Sequence, residues 1–206
     1  MYVPAPFEQK DRNEVLDFIR RHGFGALHSS TERGLEASHL PFLLEEGSGS
    51  EVSLLGHMAR ANPQWRDLEG REVLAVFQGP QAYLSPGWYG EGPAVPTWNY
   101  LAVHVYGTYR ALPSGELRAL LEKTVGFYES GFARPWGLEA LPEDYLEKMT
   151  GGIAGFRIQV DRMESQWKLS QNHPVERRRK VIDALREQGG ENQVGIAGYM
   201  EKEISK

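Results

Sequence analysis

Apolar and polar positions along the chain follow two different rhythms. In "DRNEVLDFIRRHG", Val15, Leu16, Phe18 and Ile19 recur at helical spacing. Asp11 stands where an N-cap belongs, Glu14 follows three residues later and Gly23 closes the run, so the pattern predicts an amphipathic helix. From "FGALHSS" through "SHLPFLLEE", "EVSLLGHMA" and "EVLAVF" the apolar runs become short and are separated by Gly, Ser and charged turns, which predicts strands. "WNYLAVHVYGTYRAL" is a longer strand with Gly107 inside it, the mark of a bulge or bend in a curved sheet. "SGELRALLEKTVGFYES" returns to helical spacing through Leu117, Leu120, Leu121, Thr124, Val125 and Tyr128, with Ser114 as its cap, and "PEDYLEKMTGG" is a second short helix. "GFRIQVDRMESQWKLSQN" alternates, with Phe156, Ile158 and Val160 on one face and Arg157, Gln159 and Asp161 on the other. After Pro174, "PVERRRKVIDALREQ" and "ENQVGIAGYMEKEI" read as helices broken at Gly189 and Gly190. Short strands with helices inserted late imply an α+β protein built on an antiparallel barrel, not a parallel doubly wound sheet.

Composition narrows the possible functions. With 206 residues, 40% apolar and 25% charged, the chain suits one globular domain with an appendage. The absence of cysteine removes disulfides, thiolate catalysis and thiolate metal sites, and fits a reducing compartment. The six histidines are not spaced as metal ligands, and no Gly-x-Ser-x-Gly signature supports a hydrolase. No apolar run approaches the ~20 residues of a membrane span. The opening "MYVPAPFEQK" lacks the regions of a signal peptide, so a cytoplasmic protein without a membrane partner is expected. A net charge of −5 gives no global attraction to nucleic acid.

Three stretches carry candidate chemistry. In "GHMARANPQW" a strand delivers Arg60 beside a helix start capped by Asn62 with Pro63 at its first position. Unpaired N–H groups, helix dipole and guanidinium converge there as they do around a phosphate, although a capped turn with a solvent-facing arginine has the same sequence. Residues 77–100 hold Phe77, Tyr83, Trp88, Tyr89, Trp98 and Tyr100, with Tyr106 and Tyr109 just beyond, which suits a subunit interface, a planar-ligand pocket or both. "SQWKLSQNHP" ends the last strand on Trp167, Lys168, Ser170 and Gln171, a set that suits a conjugated ring or an anion and equally an ordinary polar strand end. The tail beyond Pro174 carries seven cations, Lys206 among them, against six anions. Its run Arg177, Arg178, Arg179 and Lys180 could face nucleic-acid phosphates, or the helix could be solvated and pack through Val181, Ile182 and Leu185.

The ordered motifs "MYVP", "HLPF", "LLGHMARANPQW", "GPQAYLSPGWY", "VPTWNYLAVHVYG" and "GGIAGFRIQVDRMESQWKLSQN" closely resemble the PaiB family, the FMN-binding negative transcriptional regulators. The resemblance covers residues 1–172 and continues more weakly to the end. It implies an FMN-binding split β-barrel, antiparallel and Greek-key-like, over residues 1–172, with a C-terminal helical extension over 173–206. It also implies kinship with pyridoxamine-phosphate oxidases and flavin reductases, and a homodimer with flavin at the subunit interface. On this sequence, His57, Met58, Ala59, Arg60 and Asn62 resemble the phosphate- and ribityl-binding strand and turn. Trp167, Lys168 and Ser170 resemble the flavin-edge segment, and Thr97, Trp98 and Asn99 fall in the motif that lines the pocket from the other side. Members commonly follow "KLSQN" with arginine, whereas this chain has His173. The function implied is repression of transcription by an FMN-binding dimer, with possible DNA contact through the C-terminal helices; the alternative is an FMN-dependent oxidoreductase that does not touch DNA. No residue stands out as a catalytic acid or base.

Overall fold

The computed structural model describes residues 1–205; Lys206, one of the tail cations, lies outside the described residues. Helix α1 (Arg12–Arg21) starts where the sequence places it, because the Asp11 carboxylate accepts the N–H groups of Asn13 at 2.9 Å and Glu14 at 3.2 Å. Six strands follow: β1 (Phe24–Thr31), β2 (Gly34–Glu46), β3 (Val52–Ala59), β4 (Glu72–Leu84), β5 (Thr97–Ala111) and β6 (Ile153–Lys168). They hydrogen-bond into a closed barrel in the order β1-β2-β3-β6-β5-β4. The assigned pairings are antiparallel, with Ala26 opposite His39 and Val76, Phe42 opposite Gly56, and His57 opposite Gly155. Helices α2 (Leu117–Glu129) and α3 (Glu143–Gly151) lie between β5 and β6, and α4 (Val175–Gln188) and α5 (Glu191–Ile204) follow β6. Among the described residues no helix is long and apolar enough to cross a membrane.

Two local expectations change. The α2 helix is entered through a 3₁₀ turn, Ser114–Glu116, and Ser114 does not cap it, since Leu117 already continues the winding from Glu116. The segment after Asn62 is a single 3₁₀ turn, Pro63–Asp67, not an α-helix. The Asn62 side chain accepts the N–H of Gln64 at 3.0 Å and donates to Ser38 Oγ at 2.8 Å, so it is committed to the turn.

By contact density the chain divides into two compact units. Met1–Phe18, Phe77–His104 and Glu164–Lys206 form one; Ile19–Val76 and Val105–Met163 form the other, so β4, β5 and β6 each contribute residues to both. The core of the first includes Phe18, whose ring packs 4.9 Å from that of Trp167, together with Leu84, Leu101 and Val103 and the facing apolar sides of α4 and α5. The core of the second centres on Phe156, stacked on Tyr109 at 5.2 Å and met edge-on by Phe42 at 6.0 Å. Gly56 makes room for that ring: a Cβ there would sit 2.6 Å from Phe156 Cζ.

Gly107 has a structural reason of the kind its place in a strand suggests. A Cβ on it would fall 2.2 Å from the carbonyl oxygen of Gln159 and 2.7 Å from Ile158 Cγ2, so β5 approaches β6 to a distance that no side chain permits. Gly107→Ala is therefore expected to lower the unfolding free energy by about 3 kcal/mol, the upper end of over-packing effects, because the obstacle is backbone and cannot swing aside. Gly198 in α5 has open space around its Cβ position, and Gly198→Ala should instead raise stability by up to ~1 kcal/mol through helix propensity. Urea unfolding of both variants against the parent chain checks the opposite signs.

Candidate functional site

The first group of candidate residues belongs to β3 and the turn after it. Alternation along β3 sends Met58 into the core, 2% exposed, and leaves His57 half-buried on the other face. Burial holds the His57 imidazole below its ordinary pKa, so it is neutral at pH 7. Ala59 pairs with Ile153 at the strand end. The Arg60 N–H donates to the Gly152 carbonyl at 2.8 Å. Its guanidinium donates through Nε to the Gly151 carbonyl and through Nη2 to the Ile153 carbonyl, both at 2.8 Å, and lies 5.8 Å from the Trp65 ring centroid. The fork expected to grip a phosphate with two parallel bonds is thus engaged by two backbone carbonyls, and Nη1 is the arm left for a ligand. The local reason is geometric: the turn that starts α3's exit into β6 brings two carbonyls to the end of β3, and a guanidinium is the side chain that satisfies both.

The second group lies where β5 begins and β6 ends. Thr97 and Asn99, two residues apart, share one face of β5, whereas Trp98 points the other way, 53% exposed, and meets Tyr83 edge-on at 6.0 Å. Lys168 Nζ donates to Thr97 Oγ1 at 2.5 Å. It forms no ion pair with any described residue, and partial burial pushes its pKa down. Trp167 is buried against Phe18. Asn99 and Ser170 are fully enclosed and bonded to each other: Asn99 Nδ2 donates to Ser170 Oγ at 3.1 Å and reaches Met200 Sδ at 3.5 Å.

A residue the sequence pattern did not single out completes this group. The Tyr89 hydroxyl lies 2.7 Å from Ser170 Oγ, and its ring is buried. Tyr89 is one of many aromatics in residues 77–100, and no local spacing separates it from the others. Ser170 itself adopts φ +62°, the left-handed region, and is the one described non-glycine residue with positive φ. The turn around it is locked by Leu169 N–H to Gln171 Oε1 at 2.7 Å, Gln171 Nε2 to the Trp167 carbonyl at 2.6 Å, and His173 N–H to the Ser170 carbonyl at 3.0 Å.

The basic run on α4 does not form a row of outward cations. Consecutive helical residues are ~100° apart, so four of them wrap the axis. Arg177 donates to the carbonyls of Tyr89 and Pro93, each at 3.2 Å, and Arg178 is buried; Arg179 and Lys180 are the exposed pair.

These features fit a flavin phosphate ester in one specific respect. A half-buried ammonium bonded, among the described residues, to a neutral hydroxyl is held in a state that an anionic or electron-rich group would relieve. Within one unit Thr97 and Lys168 are partly exposed while Asn99 and Ser170 are enclosed by protein; within the other, the Nη1 arm of Arg60 takes no part in its two carbonyl bonds and Met58 is buried.

Comparison with known proteins agrees with this chemistry. Residues 1–162 match the family model described as "Putative FMN-binding domain". Protease synthase and sporulation protein PAI 2 of Bacillus subtilis is 35% identical over 207 residues, which cover 100% of this chain and 99% of that protein. Among solved structures, the FAD and heme binding protein from Mycobacterium smegmatis is 12% identical with a TM-score of 0.56, covering 78% of this chain and 73% of its own. The flavocytochrome Anf3 from Azotobacter vinelandii is likewise 12% identical, with a TM-score of 0.57 and coverage of 78% and 69%. At that identity the two structures establish the fold, a split β-barrel. A family model spanning most of the barrel and an end-to-end relative at 35% identity establish more: the chain is an FMN-binding protein of the PaiB family.

Proposed function

We propose that this protein is a cytoplasmic, homodimeric FMN-binding regulator that lowers transcription. Residues 1–172 would serve as its flavin-binding barrel, with the helices of residues 173–206 fastened to it. The observation that carries the proposal is the uncompensated, half-buried Lys168 paired with Thr97 in a chain whose family binds FMN. The regulatory part is supported by the name of its full-length relative, a protease synthase and sporulation protein. The FMN would supply redox chemistry when bound. The chain's own part would be to hold it: Arg60 would offer the cofactor its remaining Nη1 arm, and His57, neutral and half-buried on the preceding strand, would offer a hydrogen-bonding group without charge. Lys168 would offer its ammonium to an anionic or electron-rich part of the cofactor, and Trp167, the residue before it, is held by packing on Phe18. Dimer formation is supported by the exposed Tyr83 and Trp98 pair and by Val95, 73% exposed, which are apolar surfaces without cover in a single chain. Direct contact with DNA through the α4 run would rest on Arg179 and Lys180, because Arg177 and Arg178 face inward.

The absorbance spectrum of the purified protein tests the cofactor, and titration with FMN and riboflavin tests the roles. Arg60→Ala should weaken FMN about 10-fold, the value of one charge-assisted hydrogen bond of roughly 1.5 kcal/mol, and leave riboflavin nearly unchanged. Lys168→Met should weaken both ligands alike, about 10-fold. Unaltered affinities in folded variants remove these residues from the site. Sedimentation should show a dimer at micromolar concentration, since an obligate interface of this kind buries more than ~2,000 Å²; a monomer contradicts the assembly. Retardation of promoter DNA without oxidation of reduced nicotinamide favours the regulator, and the reverse result makes the protein an FMN-dependent oxidoreductase.

A further inference from the structure

Several side chains that the sequence assigns to other tasks converge on one residue. The His173 ring packs against the Tyr89 ring at 4.4 Å, with 34° between the planes, so it supplies that ring with a flat seat. Arg177 places its guanidinium 5.4 Å from the same ring centroid while bonding the Tyr89 and Pro93 carbonyls. Lys180, one helical turn further along α4, lies over Gly90: a Cβ at Gly90 would come within 2.6 Å of its Nζ, and Gly90 has φ +75°. The segment 89–93 is therefore gripped by the start of α4. Its buried end is the Tyr89 hydroxyl, and that hydroxyl touches Ser170.

Ser170 needs such a partner. A serine at φ +62° costs free energy relative to the extended or right-handed regions and persists where its surroundings over-determine it. Its Oγ is held from two sides, by Tyr89 and by Asn99 Nδ2. If Ser170 relaxed to negative φ, the turn would lose the His173 N–H to Ser170 carbonyl bond, and the two residues leading back to Lys168 would be re-aimed.

We propose that Tyr89 is a positioning residue of the flavin site. Seated by His173, Arg177 and Lys180, it fixes Ser170 in the left-handed conformation and thereby aims Lys168. The proposal rests on the FMN-binding function above.

The test is a set of FMN titrations, each with the visible circular dichroism of the bound flavin and a thermal midpoint. Tyr89→Phe keeps the ring in its seat and removes the hydroxyl. It should weaken FMN about 3- to 10-fold, as loss of one net hydrogen bond would, and alter the flavin signal. Ser170→Ala should do the same, and the double variant should be no weaker than either single one, because both remove one interaction. Ser170→Gly should keep near-parental affinity, since glycine adopts φ +62° without strain. Glu187→Ala, on the exposed side of α4, should leave FMN affinity and dichroism unchanged. Should Tyr89→Phe fail to fold, the contrast between Ser170→Gly and Ser170→Ala decides the same question. If the parent protein binds FMN but Tyr89→Phe and Ser170→Ala leave affinity and dichroism unchanged, or their losses add, Tyr89 has no positioning role while the cofactor assignment stands. A parent protein that takes up no FMN overturns the cofactor assignment and this proposal together.

Discussion

Among the glycines of the described residues, the closest approach to another backbone atom is that of β5 to β6 at Gly107. The space where a Cβ would stand is occupied by a backbone carbonyl, so the two strands can close on each other at this point only through glycine. The same economy of volume recurs at Gly56, where the missing side chain admits the Phe156 ring that Tyr109 and Phe42 enclose. Protein interiors tolerate almost no overlap, and repacking around a backbone atom requires moving a strand. Thr97 and Asn99 stand on β5 and Lys168 ends β6, the two strands that meet at Gly107.

Charge is distributed so that few cations remain uncompensated where it matters. Glu45 accepts from Lys123 and Arg157, and the Lys123 bond holds its carboxyl below the ordinary range despite partial burial. Arg60 satisfies two carbonyls, and Arg177 satisfies two more. Lys168 contrasts with these, having a neutral hydroxyl for a partner. Surface ion pairs contribute little to stability, whereas a desolvated cation without a counter-charge is costly to maintain. That cost falls at a strand end, two residues from a serine in the left-handed region.

The C-terminal helices have a different character from the one their composition suggests. Arg178 is buried, and its Nε and Nη2 have no hydrogen-bond partner among the described residues; burial pushes its pKa down, while the Glu203 carboxylate acts in the opposite direction. Together with Val181, Ile182 and Leu185 it belongs to the inward face of α4, which Ile196, Ala197 and Met200 of α5 help to bury. Of the run that could face nucleic-acid phosphates, Arg178 lies inside, Arg177 is bonded to a neighbouring loop and Lys180 lies along Gly90.

Much of the architecture is legible in the residue order because it depends on short-range periodicity. The Asp11 cap, the alternation of Phe156 and Ile158 against Arg157 and Gln159, the glycine within β5 and the helix break at Gly189 and Gly190 are local signals, and each has its expected counterpart in the fold. The motifs around Arg60 and Lys168 also mark the family without any coordinates. What local order cannot encode is which partner a side chain meets across the fold. That Arg60 bonds carbonyls 91 and 93 residues away, that Arg177 reaches back 88 residues to Tyr89, and that Asn99 and Ser170 enclose one another while Trp98 faces outward were decided by tertiary structure alone. The physical reason is that hydrogen-bond direction and strand facing are set by register between distant segments, where a shift of one residue turns every side chain to the opposite face.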